Sequence, residues 1–143
     1  MKFSTSFVER TAYGFYALTG FKIYTGAPPA TADAAATGTL LADFQSEIDN
    51  AIDNTFSLQG NLVTWSFMDT SGNNDFAQTS ALGSGAAGYA RAVIADDYWN
   101  EHIFDLTITS AGGGGDIELA STAFSGGDVV KLNGFAVTVP TGA

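Results

Sequence analysis

The stretch Phe104-Asp105-Leu106-Thr107-Ile108-Thr109 alternates apolar and polar side chains without interruption. Successive side chains of a β-strand point to opposite faces, so its three apolar residues are predicted to share one buried face. Shorter runs with apolar alternation recur on both sides of it, and they predict further strands at residues 21–24, 39–44, 55–58, 62–67, 89–95, 116–119, 129–132 and 135–139. This spacing favours one mainly-β domain over residues 1–143, a two-sheet β-sandwich or jelly roll of about eight strands.

Turn-forming residues separate these runs. Gln59-Gly60-Asn61 indicates a hairpin, and Pro28-Pro29 is expected to end the first strand. The alanine-rich residues 31–36 predict one or two helical turns, closed by Gly38 in the left-handed conformation. Residues 69–88 are rich in Gly, Ser, Asn and Asp, and we predict a long loop there.

An N-terminal helix or arm is expected over residues 1–20. Ser6-Phe7-Val8-Glu9 has the spacing of a capping box, which predicts a helix over 7–18. Its aromatic residues would pack either on the same domain or on a neighbouring molecule. Tyr98-Trp99 lies in a connection and serves either as a binding anchor or as packing under a loop. The predicted partner-binding residues are therefore Phe3, Phe7, Tyr13, Phe15, Tyr16, Tyr98 and Trp99.

The overall charge argues against two classes of partner. Five Lys and Arg stand against fifteen Asp and Glu, a net charge of −10, so nucleic-acid phosphates and anionic membranes would be repelled. The chain has no cysteine, which excludes disulfides and thiolate metal sites. Glu9-Arg10 interrupts the apolar residues near the N-terminus, and no run approaches the length of a membrane span, so we expect synthesis in the cytoplasm without an export signal.

Residue patterns with a catalytic meaning are weak in this sequence. His102 is the only histidine, and Ser84 lacks the spacing of a nucleophile elbow. Oxygen ligands in residues 69–75 do not have the spacing of a calcium-binding EF-hand loop, and Gly112–Gly115 lacks the Lys and Ser or Thr of a phosphate-binding loop. The carboxylates of Asp96, Asp97 and Glu101 are near one another in sequence, but fifteen carboxylates make such pairs unavoidable. We therefore expect no catalytic, cofactor or metal residues, and a protein that is not an enzyme.

Three segments resemble a group of small structural proteins of tailed phages. The first is Gly20-Phe21-Lys22-Ile23-Tyr24-Thr25-Gly26-Ala27-Pro28-Pro29-Ala30-Thr31-Ala32-Asp33-Ala34-Ala35-Ala36-Thr37-Gly38-Thr39-Leu40-Leu41. The second is the glycine-rich strand opening at residues 85–91, and the third is the strand that runs into proline at residues 134–140.

The resemblance implies a structural role in a virion. By analogy with capsid cement proteins in size and β content, the expected role is decoration of the outside of the major capsid shell. The expected partners are the major capsid protein or other virion proteins, and further copies of the chain in a dimer or trimer. Two alternatives remain open: a tail, neck or baseplate component, and a carbohydrate- or receptor-binding module.

Overall fold

The structure, a computed structural model, describes residues 20–44, 55–59, 62–66, 77–96, 100–132 and 134–138. Eleven β-strands occupy most of these ranges, which confirms the prediction of a mainly-β protein. They are β1 (Gly20–Thr25), β2 (Leu40–Asp43), β3 (Thr55–Gln59), β4 (Leu62–Ser66), β5 (Ala77–Ser80), β6 (Gly85–Asp96), β7 (Asn100–Ser110), β8 (Ile117–Leu119), β9 (Ala123–Phe124), β10 (Val129–Leu132) and β11 (Gly134–Thr138). The predicted helix over 7–18, and the whole arm before Gly20, lie outside the described residues.

A six-stranded sheet forms the centre of the described structure. Its strands follow the order β2-β1-β6-β7-β8, and β9 pairs with the start of β6. The long hairpin of β6 and β7 is antiparallel over the eight residue pairs from Tyr89↔Thr107 to Asp96↔Asn100. β8 runs parallel to β7, whereas the other pairings in this sheet are antiparallel.

Two smaller sheets accompany it. One has the order β11-β4-β3 and the other pairs β10 with β5. The hairpin predicted around Gln59-Gly60-Asn61 is confirmed, because β3 and β4 are antiparallel with Gln59 opposite Leu62.

The core lies on one face of the six-stranded sheet. Phe21 and Ile23 of β1 are opposite Ala92 and Ala90 of β6, and all four are buried. The small alanine side chains leave room for aromatic rings, and the ring of Phe21 lies 5.4 Å from that of Phe135 in β11. This contact joins the six-stranded sheet to the three-stranded sheet. The other buried members of the core are Leu41, Ala42, Phe44, Ala81, Ala87, Leu106, Ile108, Ile117, Val130 and Leu132.

Two loop predictions were wrong. The long loop expected over 69–88 contains β5 and the first residues of β6, where glycine and alanine allow a close approach to β1 that large side chains would block. Residues 31–36 form a single hydrogen-bonded turn, from the Ala34 N–H to the Thr31 carbonyl (3.1 Å), and no helix. Gly38 does adopt the left-handed conformation, with φ of 77°, but it ends a loop.

One close backbone approach explains a glycine in β6. A Cβ placed on Gly88 would overlap the carbonyl oxygen of Gly26, just beyond the end of β1. β1 and β6 therefore reach their observed separation at this point only because residue 88 has no side chain.

We expect Gly88→Ala to lower the free energy of unfolding by about 2–3 kcal/mol, because one of the two strands must move. Gly83→Ala is the matched control, since its nearest neighbour, the Leu40 carbonyl oxygen, is at an ordinary 3.5 Å. Urea unfolding of the two variants measures the difference. Equal stabilities would contradict the steric role of Gly88.

Candidate functional site

The loop between β1 and β2, residues 26–39, is held by hydrogen bonds within itself and from β6, and we call it the braced loop. Its two ends are tied together, because the Thr25 N–H donates to the Thr39 carbonyl (3.0 Å) and the Thr39 N–H donates to the Thr25 hydroxyl (2.9 Å). Inside the loop, the Thr37 hydroxyl donates to the Ala27 carbonyl (3.0 Å). These contacts close the loop upon itself.

Tyr89 of β6 holds the middle of the braced loop. Its hydroxyl donates to the Thr37 carbonyl (2.7 Å) and accepts from the Thr37 N–H (2.9 Å). The ring is fully buried and stacks on Tyr24 of β1, with ring centres 5.2 Å apart and planes 14° from parallel. A rigid side chain thus satisfies both backbone groups of one loop residue.

Arg91, two residues further along the same face of β6, holds a second point of the loop. Its Nε and Nη2 donate to the two carboxylate oxygens of Asp105 on β7 (2.8 and 2.9 Å), and its Nη1 donates to the Ala34 carbonyl (2.8 Å). The Arg91 and Asp105 side chains are only 8% and 9% exposed. The hydrogen bonds to Asp105 raise the pKa of Arg91, so the guanidinium stays charged at every physiological pH.

The outer surface of the braced loop carries small side chains. It exposes methyl groups, hydroxyls and the carboxylate of Asp33. Small side chains lose little conformational freedom on contact, and they allow the loop backbone to approach another surface closely. The arrangement therefore suits packing and hydrogen bonding against another macromolecule. The residues with exposed side chains are Ala27, Ala30, Thr31, Asp33, Ala34, Ala35, Ala36, Thr37 and Thr39.

A second ordered turn joins β7 to β8 through the glycine run. The Glu118 carboxylate accepts from the N–H groups of Gly112 (3.1 Å) and Gly114 (2.9 Å), and these two bonds lower its pKa. Asp116 accepts from the N–H and the hydroxyl of Thr107, both at 2.8 Å. The carboxylates of this turn are thus engaged with nearby donors. Among the residues that the structure describes, no three His, Cys, Asp or Glu side chains are grouped as metal ligands would be.

The residues predicted from sequence to bind partners are not among those described. Phe3, Phe7, Tyr13, Phe15 and Tyr16 precede residue 20, and Tyr98 and Trp99 fall between β6 and β7. The oxygen-ligand candidates at 69–75 lie outside the described ranges as well. The sole histidine, His102, belongs to β7, with its backbone opposite that of Ile94.

Tyr89, Arg91 and Asp105 were missed as site residues by the sequence analysis. One signal was present: a charged residue inside each of two apolar strands, Arg91 in the first and Asp105 in the second. Buried charges are normally paired, so the two were candidates for one ion pair. Their pairing became visible only with the register of β6 and β7, which places them opposite each other.

Comparisons of this chain with protein-family models, with curated proteins and with solved structures found no match. In the described ranges, no helix has the length and apolar character needed to cross a membrane.

We expect Asp105→Asn to lower the free energy of unfolding by about 3–5 kcal/mol, because it leaves a buried guanidinium without its counter-charge. Asp43→Asn is the control, because it makes the same carboxylate-to-amide change in an ion pair that is more exposed to solvent. Asp43 lies 3.7 Å from Lys22 and both side chains are 31% exposed, so the expected loss is below about 1 kcal/mol. Urea unfolding measures the free energy of unfolding of both variants. Similar losses in the two would refute the claim that the Arg91–Asp105 pair contributes more to stability than the Lys22–Asp43 pair.

Tyr89→Phe removes the hydroxyl that bonds to both backbone groups of Thr37. We expect faster hydrogen exchange of the Thr37 amide and a loss of about 0.5–1.5 kcal/mol in stability. Tyr24→Phe is the matched control, because it keeps the stacked ring pair and the Tyr24 hydroxyl makes no hydrogen bond in the described structure. Exchange at Thr37 that is as slow in Tyr89→Phe as in the native protein would disprove the bracing.

The turn at Gly112–Gly115 is expected to loosen in acid. Because the folded pKa of Glu118 is depressed, the bonded turn is fully formed above the ordinary pKa of 4.5 and is lost as the pH falls through the lower folded value. The amide resonances of Gly112 and Gly114 should titrate together in an NMR pH series, with a midpoint below 4.5. Glu118→Gln should abolish that titration, whereas a midpoint at or above 4.5 would contradict the hydrogen bonding.

Proposed function

We propose that this protein is a structural component of a tailed-phage virion that works by contact with other proteins, and that it decorates the outside of the major capsid shell. The observation that carries the proposal is the braced loop, an exposed surface of small side chains held on a β-sheet by Tyr89 and Arg91. A surface ordered before contact loses little entropy on binding, which favours association.

The three segments that resemble phage structural proteins contact one another in the fold, which supports the same role. The braced loop belongs to the first segment, and Gly88, Tyr89 and Arg91, which hold it, belong to the second. The third segment supplies Phe135, whose ring packs on Phe21 of the first. The three segments therefore form one contiguous structural unit.

We further propose that the sheets pack face to face as a β-sandwich. The rings of Phe21 and Phe104 in the six-stranded sheet contact Phe135 in the three-stranded sheet, at centre distances of 5.4 and 6.3 Å. Val130 and Leu132 of β10 are buried in the same core. A stiff two-layer scaffold would keep the braced loop in place while many copies act together.

The decisive experiment locates the protein on particles. Imaging of virions with and without the protein should show density on the capsid surface, with hundreds of copies per particle. A small number of copies at the tail or neck would instead favour the tail-component alternative, and particles that lack the protein would refute a virion role. A glycan array, with Tyr98 and Trp99 replaced as controls, tests the receptor-binding alternative.

A variant pair tests the role of the braced loop. Ala35→Arg places a long charged side chain on its exposed surface, so we expect at least about a tenfold loss of particle binding. Ala111→Arg makes the same change at the exposed turn after β7, and we expect binding there to be unchanged. Equal binding of the two variants would show that the loop is not the contact surface.

A further inference from the structure

A groove separates the edge strands of two sheets, on the side of the molecule away from β2. Two cavities of about 250 and 320 Å³ form it, and they share Leu119, Ala120 and Lys131. One wall consists of residues 116–124, which include β8 and β9, and the other consists of residues 128–132 with Phe135. We call it the β8–β10 groove.

Both walls of the groove are ends of sheets. Within the described part of the chain, β8 is the last strand of the six-stranded sheet and β10 is the last strand of the two-stranded sheet. In the described part of the chain β8 pairs only with β7, and the Leu119 carbonyl accepts from the Ala111 N–H on that side (3.0 Å), so the backbone N–H and carbonyl of Glu118 are the groups of β8 that point away from β7. An edge of this kind is a template for another extended chain.

The side chains of the groove define the chemistry of its occupant. Val129 in one wall is 59% exposed, and Leu119 and Phe124 in the other wall are half-buried, so both walls offer apolar contact. Among the described residues that line the groove, the three carboxylates of Asp116, Glu118 and Asp128 outnumber one ammonium, that of Lys131. With a net charge of −10 on the whole chain, the groove repels acidic segments and attracts basic ones.

We propose that the β8–β10 groove binds an extended segment of a partner protein, which adds as a strand beside β8 and carries apolar side chains alternating with Lys or Arg. The backbone of the segment pairs with the free edge, its apolar side chains lie on Leu119, Phe124 and Val129, and its cations face the carboxylates. This inference is independent of the virion role, because it depends only on the groove.

The test measures binding of a basic strand peptide, acetyl-Lys-Val-Thr-Val-Lys-Val-amide, to the full chain by NMR titration. A control peptide with Glu in place of both Lys keeps the apolar pattern and reverses the charge. A third peptide with proline at the central Thr position removes a backbone donor. We expect the basic peptide to shift the amide resonances of residues 117–124 and 128–132, and we expect both other peptides to bind at least about tenfold more weakly.

Two protein variants localise the binding. Ala120→Trp fills the position shared by both cavities, and Val129→Lys adds a cation at an exposed wall residue, so each should weaken basic-peptide binding at least about tenfold. Ala30→Trp, in the braced loop, is the control and should bind as the native protein does. Val129 is already 59% exposed, so its variant keeps the test valid even if Ala120→Trp fails to fold.

Three results would overturn the proposal. The first is no shift of groove resonances with the basic peptide, and the second is equal binding of the basic and acidic peptides. The third is tighter peptide binding after deletion of residues 1–10, which would show that the occupant is the chain's own N-terminal segment. Peptide binding by a protein that is absent from particles would leave the groove intact and refute only the virion role.

Discussion

A guanidinium inside a β-sheet is tolerated only when its charge is balanced and its N–H groups are bonded. Arg91 meets this requirement with one carboxylate from the next strand and one carbonyl from the loop above it. The ion pair therefore fixes the register of β6 against β7, and the bond from Arg91 to Ala34 fixes the distance of the braced loop from the sheet. If either strand slipped by one residue, the two side chains would point to opposite faces, and both charges would lose their partner.

The two faces of the six-stranded sheet have different roles. On one face, Ala90 and Ala92 leave space for Phe21 and Phe135, so the core is held by aromatic rings packed over small residues. On the other face, Tyr89 and Arg91 alternate with those alanines and bond the loop. The alternation of one strand, β6, thus places residues of the core on one face and the residues that hold the candidate contact surface on the other.

Strands with strict apolar–polar alternation could be predicted from the sequence. Segments whose conformation depends on residues distant in the chain could not. Residues 104–109 and the hairpin of β3 and β4 carry their pattern locally. Gly85-Ala86-Ala87-Gly88 has poor strand propensity, and it is extended because β1 and β9 pair with it on its two sides. The alanine-rich residues 31–36 favour a helix on propensity alone, yet bonds from Tyr89 and Arg91 hold the loop in another shape. The aromatic residues predicted as partner anchors belong to segments that the structure does not describe, so their role as anchors stays a prediction.

The braced loop is separated along the chain from the residues that hold it, and this has a consequence for biosynthesis. The Thr37 carbonyl bonds to the hydroxyl of Tyr89, 52 residues later in the chain, and the Ala34 carbonyl bonds to the guanidinium of Arg91, 57 residues later. That guanidinium in turn requires the carboxylate of Asp105. A ribosome must therefore have released the chain beyond Asp105 before the loop can take its final form. A product truncated before Asp105 lacks residues that hold the loop, so it cannot form the ordered surface of the longer chain.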